Sequence, residues 1–141
     1  MYKNFDLCIS CFSDDNNPGD YWYDCAIVEA TEILNQFNES DWTSLVDSLD
    51  NKSIFWKMRL VECLGDLDNS YELTVILALI EINDNDLIIS CIDALRTINI
   101  DSLSENEFKR INDRLSTINK IGSLTVLCIV EDFKRKFLIN N

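Results

Sequence analysis

The sequence predicts an all-α fold of six to seven helices, paired as antiparallel hairpins that stack side by side. Three observations predict it. Apolar residues recur at helical rather than alternating spacing. The apolar blocks run ten to twelve residues, longer than an ordinary strand. One segment is also said twice: RLVECLGDL, residues 59–67, returns at an offset of 31 as SCIDALRTI, residues 90–98. The offset places Val61, Cys63, Leu64 and Leu67 opposite Ile92, Ala94, Leu95 and Ile98. A repeated αα unit in a chain of 141 residues marks an architecture in which each helix pair buries its apolar face on a neighbour. β-branched residues in LTVILALIEI and LIISCI tolerate a strand, but the Leu, Ala and Glu interspersed at helical intervals favour the helix.

Residues 1–12 carry Tyr2, Phe5, Leu7, Ile9 and Phe12 without a clear period, which leaves a short helix and an extended arm both open. SDDNNPGD, residues 13–20, gathers turn-favouring residues around the only proline and reads as a loop. From Tyr21 to Phe37 the positions Trp22, Ala26, Ile33, Leu34 and Phe37 follow helical spacing, with Asp20 available as an N-cap. Ser40 can cap the next helix, whose apolar face is Trp42, Leu45, Val46 and Leu49. After the turn at residues 50–52, Ser53 leads into FWKMRLVECLGDL, where Phe55, Met58, Leu60, Val61, Leu64 and Leu67 make a wide apolar face and Gly65 lies near the end. These two helices form one hairpin. YELTVILALIEI and LIISCIDALRTI, joined by NDND, form a second, and both segments are apolar nearly all round, as suits helices flanked by neighbours. A third hairpin runs from Ser104 to Ile118 and from Gly122 to Leu138. The whole reads as a single domain over residues 1–141, with an N-terminal arm and acidic loop at 1–20 and helical repeats over 21–141.

With 47% hydrophobic and 26% charged residues, the chain is globular in composition. No apolar run reaches the length of a membrane span, and the N-terminus is interrupted by polar and acidic residues where a signal peptide needs an apolar stretch. The expected location is the cytoplasm. The formal charge of −13 is unevenly spread. Residues 1–51 carry eleven acids against one base, residues 52–108 eleven against four, and residues 109–141 three against seven. Such an acidic body repels nucleic acid and anionic lipid, so neither is an expected partner, and it favours a basic protein. Solubility alone is the competing explanation of the charge.

Six cysteines in a helical, cytosolic chain read as free thiols, with Cys25, Cys63, Cys91 and Cys128 as small core residues. Cys8 and Cys11 form a lone CxxC, and with no histidine in the chain the two further ligands of a zinc site are missing. No metal or cofactor is expected. Nor is an enzyme: there is no histidine, no Gly-rich phosphate loop and no GxSxG nucleophile motif. Glu62 and Asp66, four apart on one predicted helix, are an acid–base pair on paper, but such spacing abounds on solvated faces.

KMRLVECLGDL resembles the second helix of HEAT-like repeats, with Lys57 at the basic position and Cys63, Leu64 and Gly65 as the terminal triplet. In the second copy Ile88 stands in place of the base and Arg96 in place of the glycine. A small acidic chain with Trp42, Trp56 and RLVECLGDL, followed by one more αα repeat, is similar to the immunity proteins of contact-dependent growth inhibition and polymorphic toxin systems. That resemblance implies a monomer that forms a 1:1 complex with a cognate toxin domain, often a basic nuclease, and blocks it. A generic HEAT-like adaptor unrelated to toxins is the alternative.

Two acidic surfaces are candidates for partner binding. In SDDNNPGDYWYDC, Tyr21, Trp22 and Tyr23 stand among Asp14, Asp15, Asp20 and Asp24, and three adjacent positions cannot share one helix face. If Trp22 points inward, at least one tyrosine is left as an aromatic anchor ringed by acids, the composition of an interface hot spot. Local packing of all three beneath the loop is the competing reading. The second candidate is an edge of turn residues, Asp66, Asp68, Asp84 and Asp86, for which simple solvation competes.

Overall fold

The structure, a computed structural model, describes residues 1–98 and 103–118 together with Cys128, Glu131, Asp132 and Arg135. Among these, every regular element is helical: α1 (Tyr2–Ser10), α2 (Ile27–Asn35), α3 (Glu39–Ser48), α4 (Ile54–Glu62), α5 (Ser70–Leu79), α6 (Asn85–Leu95) and α7 (Glu105–Ile118). A π-helical turn, Trp22–Ala26, leads into α2, and a 3₁₀ turn, Leu49–Asn51, extends α3. The all-α fold of six to seven helices is therefore as expected. The chain divides into two compact units, Met1–Leu67 and Asp68–Asn141.

The repeat is written in the helix caps as well as in the core. Asn38 accepts the Asp41 amide at the start of α3, and Asn69 accepts those of Tyr71 and Glu72 at the start of α5. Ser53 accepts the Trp56 amide before α4, and Asp84 the Leu87 amide before α6. Both pairs are 31 residues apart, the offset of the sequence repeat. All eight residues aligned across RLVECLGDL and SCIDALRTI, from Val61 and Ile92 to Leu67 and Ile98, are buried. So are Leu45 with Ile76, Leu49 with Ile80, and Trp56 with Leu87, which share that spacing. A side chain oxygen at each N-cap meets an amide that the helix cannot satisfy itself, so the cap fixes where each apolar face begins.

The first unit is organised by α1, which packs against α2, α3 and α4. Residues 1–12, open between helix and arm, thus enter the core, with Phe5 and Ile9 fully buried. The Phe5 ring meets Phe37 edge-on at 5.8 Å and Trp56 at 6.1 Å, and Phe37 in turn meets Trp42 at 5.1 Å. Asp6, one residue on, ties α1 to α4: its Oδ1 accepts from Lys52 Nζ and from Trp56 Nε1, each at 2.9 Å. The Lys52 ammonium also lies over the Trp56 ring at 5.0 Å.

In the second unit, α5 packs on α6 and α6 on α7. The exposed residues of α5 are Ser70, Thr74 and Ala78, a stripe of small residues at four-residue spacing, with Tyr71 and Leu73 half-buried beside it and the rest buried. Its C-terminal carbonyls are met from α7: Arg110 Nη2 donates to Leu77 O, and Arg114 donates to Ile80 O and Ile82 O at 2.8 and 2.9 Å. Two guanidinium groups thereby sit at the negative end of a helix, where cations are favoured. The expected helix from Gly122 to Leu138 lies outside the described residues, apart from Cys128, Glu131, Asp132 and Arg135, which are helical.

Several local expectations are corrected. Asp20 is already helical and so is no cap, and Ser40 lies inside α3 because Asn38 and Asp41 form a reciprocal capping box ahead of it. α4 stops at Glu62, with Cys63 as its C-cap and Gly65 at φ 128 beyond, a conformation that suits glycine. Asp66 is therefore past the helix end, and the Glu62–Asp66 pairing on one helix does not exist. Cys63 and Cys91 are buried as expected, but Cys25 and Cys128 are exposed. Cys25 falls on the outer face of the π-turn because the apolar positions Trp22, Ala26 and Ala30 use the inner one.

Candidate functional site

The most distinctive local geometry lies at the aromatic triplet. Its apolar neighbours are spaced by four, at 22, 26, 30 and 34, and in an ideal helix of 3.6 residues per turn such positions drift around the axis. A π turn, with more residues per turn, reduces the drift, and the Ile27 amide accordingly reaches back five residues to Trp22 O. Trp22 is driven fully into the core, while Tyr21 and Tyr23 stay 65% and 53% exposed. The Phe12 ring covers the inner side, tilted on Trp22 at 5.3 Å and stacked on Tyr21 at 6.2 Å. Phe12, just ahead of the loop, therefore packs against the triplet, yet both tyrosines stay accessible.

The two tyrosines serve opposite flanks of the helix that follows. Tyr21 lines a groove between α1 and the π-turn and α2, of about 560 Å³, together with Leu7, Cys8, Cys11, Phe12 and Glu29. Leu7 is 70% exposed there. On the other flank a groove of about 320 Å³ is lined by Val28, Thr31, Glu32, Glu62, Cys63 and Asp66. Tyr23 approaches Glu62: burial, then the Glu62 charge and the hydrogen bond donated to it, raise the phenol above its ordinary value. The ridge between the grooves carries Tyr21, Asp24, Cys25, Val28, Glu29 and Glu32, all exposed and all on one helical face.

Behind the ridge lies a buried polar contact. Arg59 is only 1% exposed, with its Nε 2.7 Å from Glu62 Oε1, and Trp22 Nε1 donates to Glu62 Oε2 at 3.4 Å. The Arg59 contact is ionic but poorly aligned as a hydrogen bond: neither Nε nor Nη1 directs a proton at an acceptor in the protein. The guanidinium neutralises Glu62 and turns no charge outward.

Cations are otherwise absorbed. Lys52 is paired with Asp6, and Lys57 is nearly buried on α4, leaving Lys3 as the exposed basic side chain of the first unit. Against it stand Asp14, Asp15, Asp20, Asp24, Glu29 and Glu32, all exposed and none within ion-pair distance of a described cation. Asp15 accepts the Asn17 amide, and Asn17 that of Gly19, whose φ of 89 sets the loop's last bend. The first acidic candidate thus gathers around an aromatic and aliphatic surface. The second is different in kind. Asp66 closes the first unit, while Asp68, Asp84 and Asp86 belong to the second. Asp68 adopts φ 56, and Asp84 is half-buried as the cap of α6. Asp86, in the first turn of α6 where the helix dipole favours an acid, has no partner among the described residues.

Leu7, Val28, Glu29 and Glu32 were not among the residues singled out from the sequence. The signal for Val28, Glu29 and Glu32 was the exposed face recurring at 21, 24, 25, 28, 29 and 32; Leu7 had none until residues 2–10 were known to be helical. Of the large hydrophobic side chains described, the exposed ones are Met1, Leu7, Tyr21, Tyr23, Val28 and Val46, every one in the first unit. The chain matches no protein-family model, no curated protein and no solved structure. Among the described residues, no helix is long and apolar enough to cross a membrane, and no three Cys, Asp or Glu side chains converge as metal ligands would.

Proposed function

We propose that the chain is an immunity protein: it binds a basic toxin domain, such as a nuclease, and covers its active or substrate-binding surface. The observation that carries this reading is the union of unneutralised carboxylates with exposed Tyr21, Tyr23, Leu7 and Val28 on one unit whose own basic side chains, Lys3 apart, are paired or buried. Carboxylates can occupy the positions that phosphates take on a nuclease, and the opposite fields speed encounter well above the neutral range of roughly 10⁵–10⁶ M⁻¹s⁻¹. The aromatic and aliphatic side chains supply the desolvated contacts that charge alone lacks. Nucleic acid and anionic membrane are repelled by the same surface.

The experiment is co-expression with the C-terminal domain of whatever protein is encoded immediately upstream of this chain. Protection of growth and a 1:1 complex are expected. Reversal of Asp14, Asp15, Asp20 and Asp24 to lysine is expected to slow association about tenfold or more at low salt, an effect that shrinks as salt screens the field. Absence of both complex and protection would overturn the reading, and an unchanged association rate in the variant would remove the loop from it.

A further inference from the structure

We infer that the groove between α1 and the π-turn with α2 is the seat of a cationic amphipathic helix presented by the partner. The inference rests on the reading of the chain as a binder of basic protein, and adds the place and the chemistry of contact. The groove has an apolar floor, Phe12, Ala26 and Ile33, between walls that carry the exposed Leu7 and Tyr21. Its acidic border is Glu29, with Asp20 and Asp24 on the same helical turns as Tyr21. Asp14 and Asp15 stand in the loop that joins the two walls. Both walls are helices and no strand edge is present among the described residues, so an incoming segment finds no ladder to extend and must dock by side chains, as an amphipathic helix does. Charge selects its sequence: aliphatic residues along one stripe, with Lys or Arg on either side of it. An acidic or purely polar segment would meet uncompensated carboxylates or leave the apolar floor wet.

The native cysteines report on occupancy. Cys11 is exposed and lines the groove, whereas Cys128 is exposed in the second unit. Burial, with the neighbouring Glu29 and Cys11, raises the Cys8 thiol above its ordinary value, which leaves Cys11 as the reactive thiol of this groove. The test measures maleimide alkylation of Cys11 by peptide mapping, with Cys128 as internal control. The probe is a synthetic Leu/Lys helix of about 14 residues, roughly four turns. Near saturation it is expected to slow Cys11 about tenfold, as 90% occupancy requires, and to leave Cys128 unchanged. A Ser/Lys peptide of equal charge is expected to slow it less than about twofold. Leu7→Arg, at a largely solvated position, is expected to fold and to abolish protection; Leu7→Ala with Tyr21→Ala serves if it does not fold. Equal protection by the Ser/Lys peptide, or none by the Leu/Lys peptide, would overturn the inference. So would concentration-dependent protection of Cys11 without peptide, which would make the occupant a second copy of this chain. If Leu7→Arg folds but still protects cells from the toxin, the groove is excluded while the proposed function stands; if the unmodified chain fails to protect, it is the proposed function that fails.

Discussion

The two units use the same αα pattern, with caps at Asn38 and Asn69 and at Ser53 and Asp84, but finish their surfaces in opposite ways. In the second, arginines of α7 reach the carbonyls at the end of α5, Glu81 receives Arg110, and none of its described large hydrophobic residues is exposed. In the first, Arg59 is turned inward, Lys52 is held by Asp6, and Leu7, Tyr21, Tyr23 and Val28 are left to solvent. The aligned pair Val46 and Leu77 shows the same contrast: Val46 is exposed and Leu77 buried. Core and caps are dictated by the repeat, whereas the use of cations is not. Both units engage their described arginines internally, but only the first leaves large apolar side chains exposed beside its carboxylates.

The sharpest way to break this contrast is at Arg59. Arg59→Ala removes a fully buried cation together with its packing, leaves the Glu62 carboxylate unpaired at the edge of the groove, and is expected to cost the first unit about 3 kcal/mol. Replacing both partners, Arg59→Met with Glu62→Gln, is expected to recover most of that loss, because the pair is poorly aligned and its burial is costly. Urea unfolding of the variants checks both. A double variant as unstable as the single one would mean that Arg59 holds the unit by packing rather than by charge.

In the second unit the test falls on Arg114, a cation outside the aligned repeat. Its two hydrogen bonds to Ile80 O and Ile82 O carry a full charge to the end of α5, so Arg114→Ala is expected to cost about 2–3 kcal/mol. Hydrogen exchange should show faster opening of the amides near the end of α5. Arg114→Lys should recover only part of the loss, since an ammonium cannot reproduce the planar fork.

Asp6 links charge in the first unit to pH. Burial raises its pKa, but the hydrogen bonds from Lys52 and Trp56 and the Lys52 charge outweigh that, and the carboxyl ends below its ordinary 3.8. A depressed folded-state pKa contributes stability that is present above the unfolded value and is lost as pH falls through the folded one. Asp6→Asn is therefore expected to cost about 1–2 kcal/mol at neutral pH. The gap to the parent should close only below pH 3.8. Denaturation series at neutral pH and near pH 2.5 test it, and a gap independent of pH would assign the effect to shape rather than charge.

The sequence carried the helical class, the offset of 31 and the paired core positions, because burial at helical spacing leaves a periodic trace. It carried Trp22 on the apolar face for the same reason, but left the tyrosines open between an exposed anchor and local packing. It did not carry α1, since Phe5 and Ile9 are too few in too short a helix to show a period. The caps Asn38 and Asn69 were legible through the repeat itself, but Ser40 stood nearer the apolar run and drew the boundary two residues late. The groove was illegible because it requires α1 to pack beside α2, and α1 itself leaves no periodic trace in the sequence. Arg59 inward is the hardest to foresee: charge in a sequence does not say whether a cation faces water or a carboxylate.

The smallest expected effect separates the two acidic surfaces. Asp84 and Asp86 are two residues apart in one turn and look interchangeable in sequence, yet Asp84 accepts the Leu87 amide at 2.9 Å while Asp86 has no described partner. Asp84→Ala leaves that amide unsatisfied at the start of α6 and is expected to cost about 1 kcal/mol, with Asp84→Asn near neutral because an amide oxygen caps as well. Asp86→Ala gives up only a dipole interaction and should cost about 0.3–1 kcal/mol at low salt, less as salt is raised. Thermal unfolding at two salt concentrations distinguishes a cap, which is insensitive to salt, from a surface charge, which is not. If Asp84 behaves like Asp86, its acidity is not required by the helix and the edge regains its claim as a binding surface. If Asp84 behaves as a cap, the acid there is explained by the fold, and the face around Tyr21 remains the one whose charge the fold does not need.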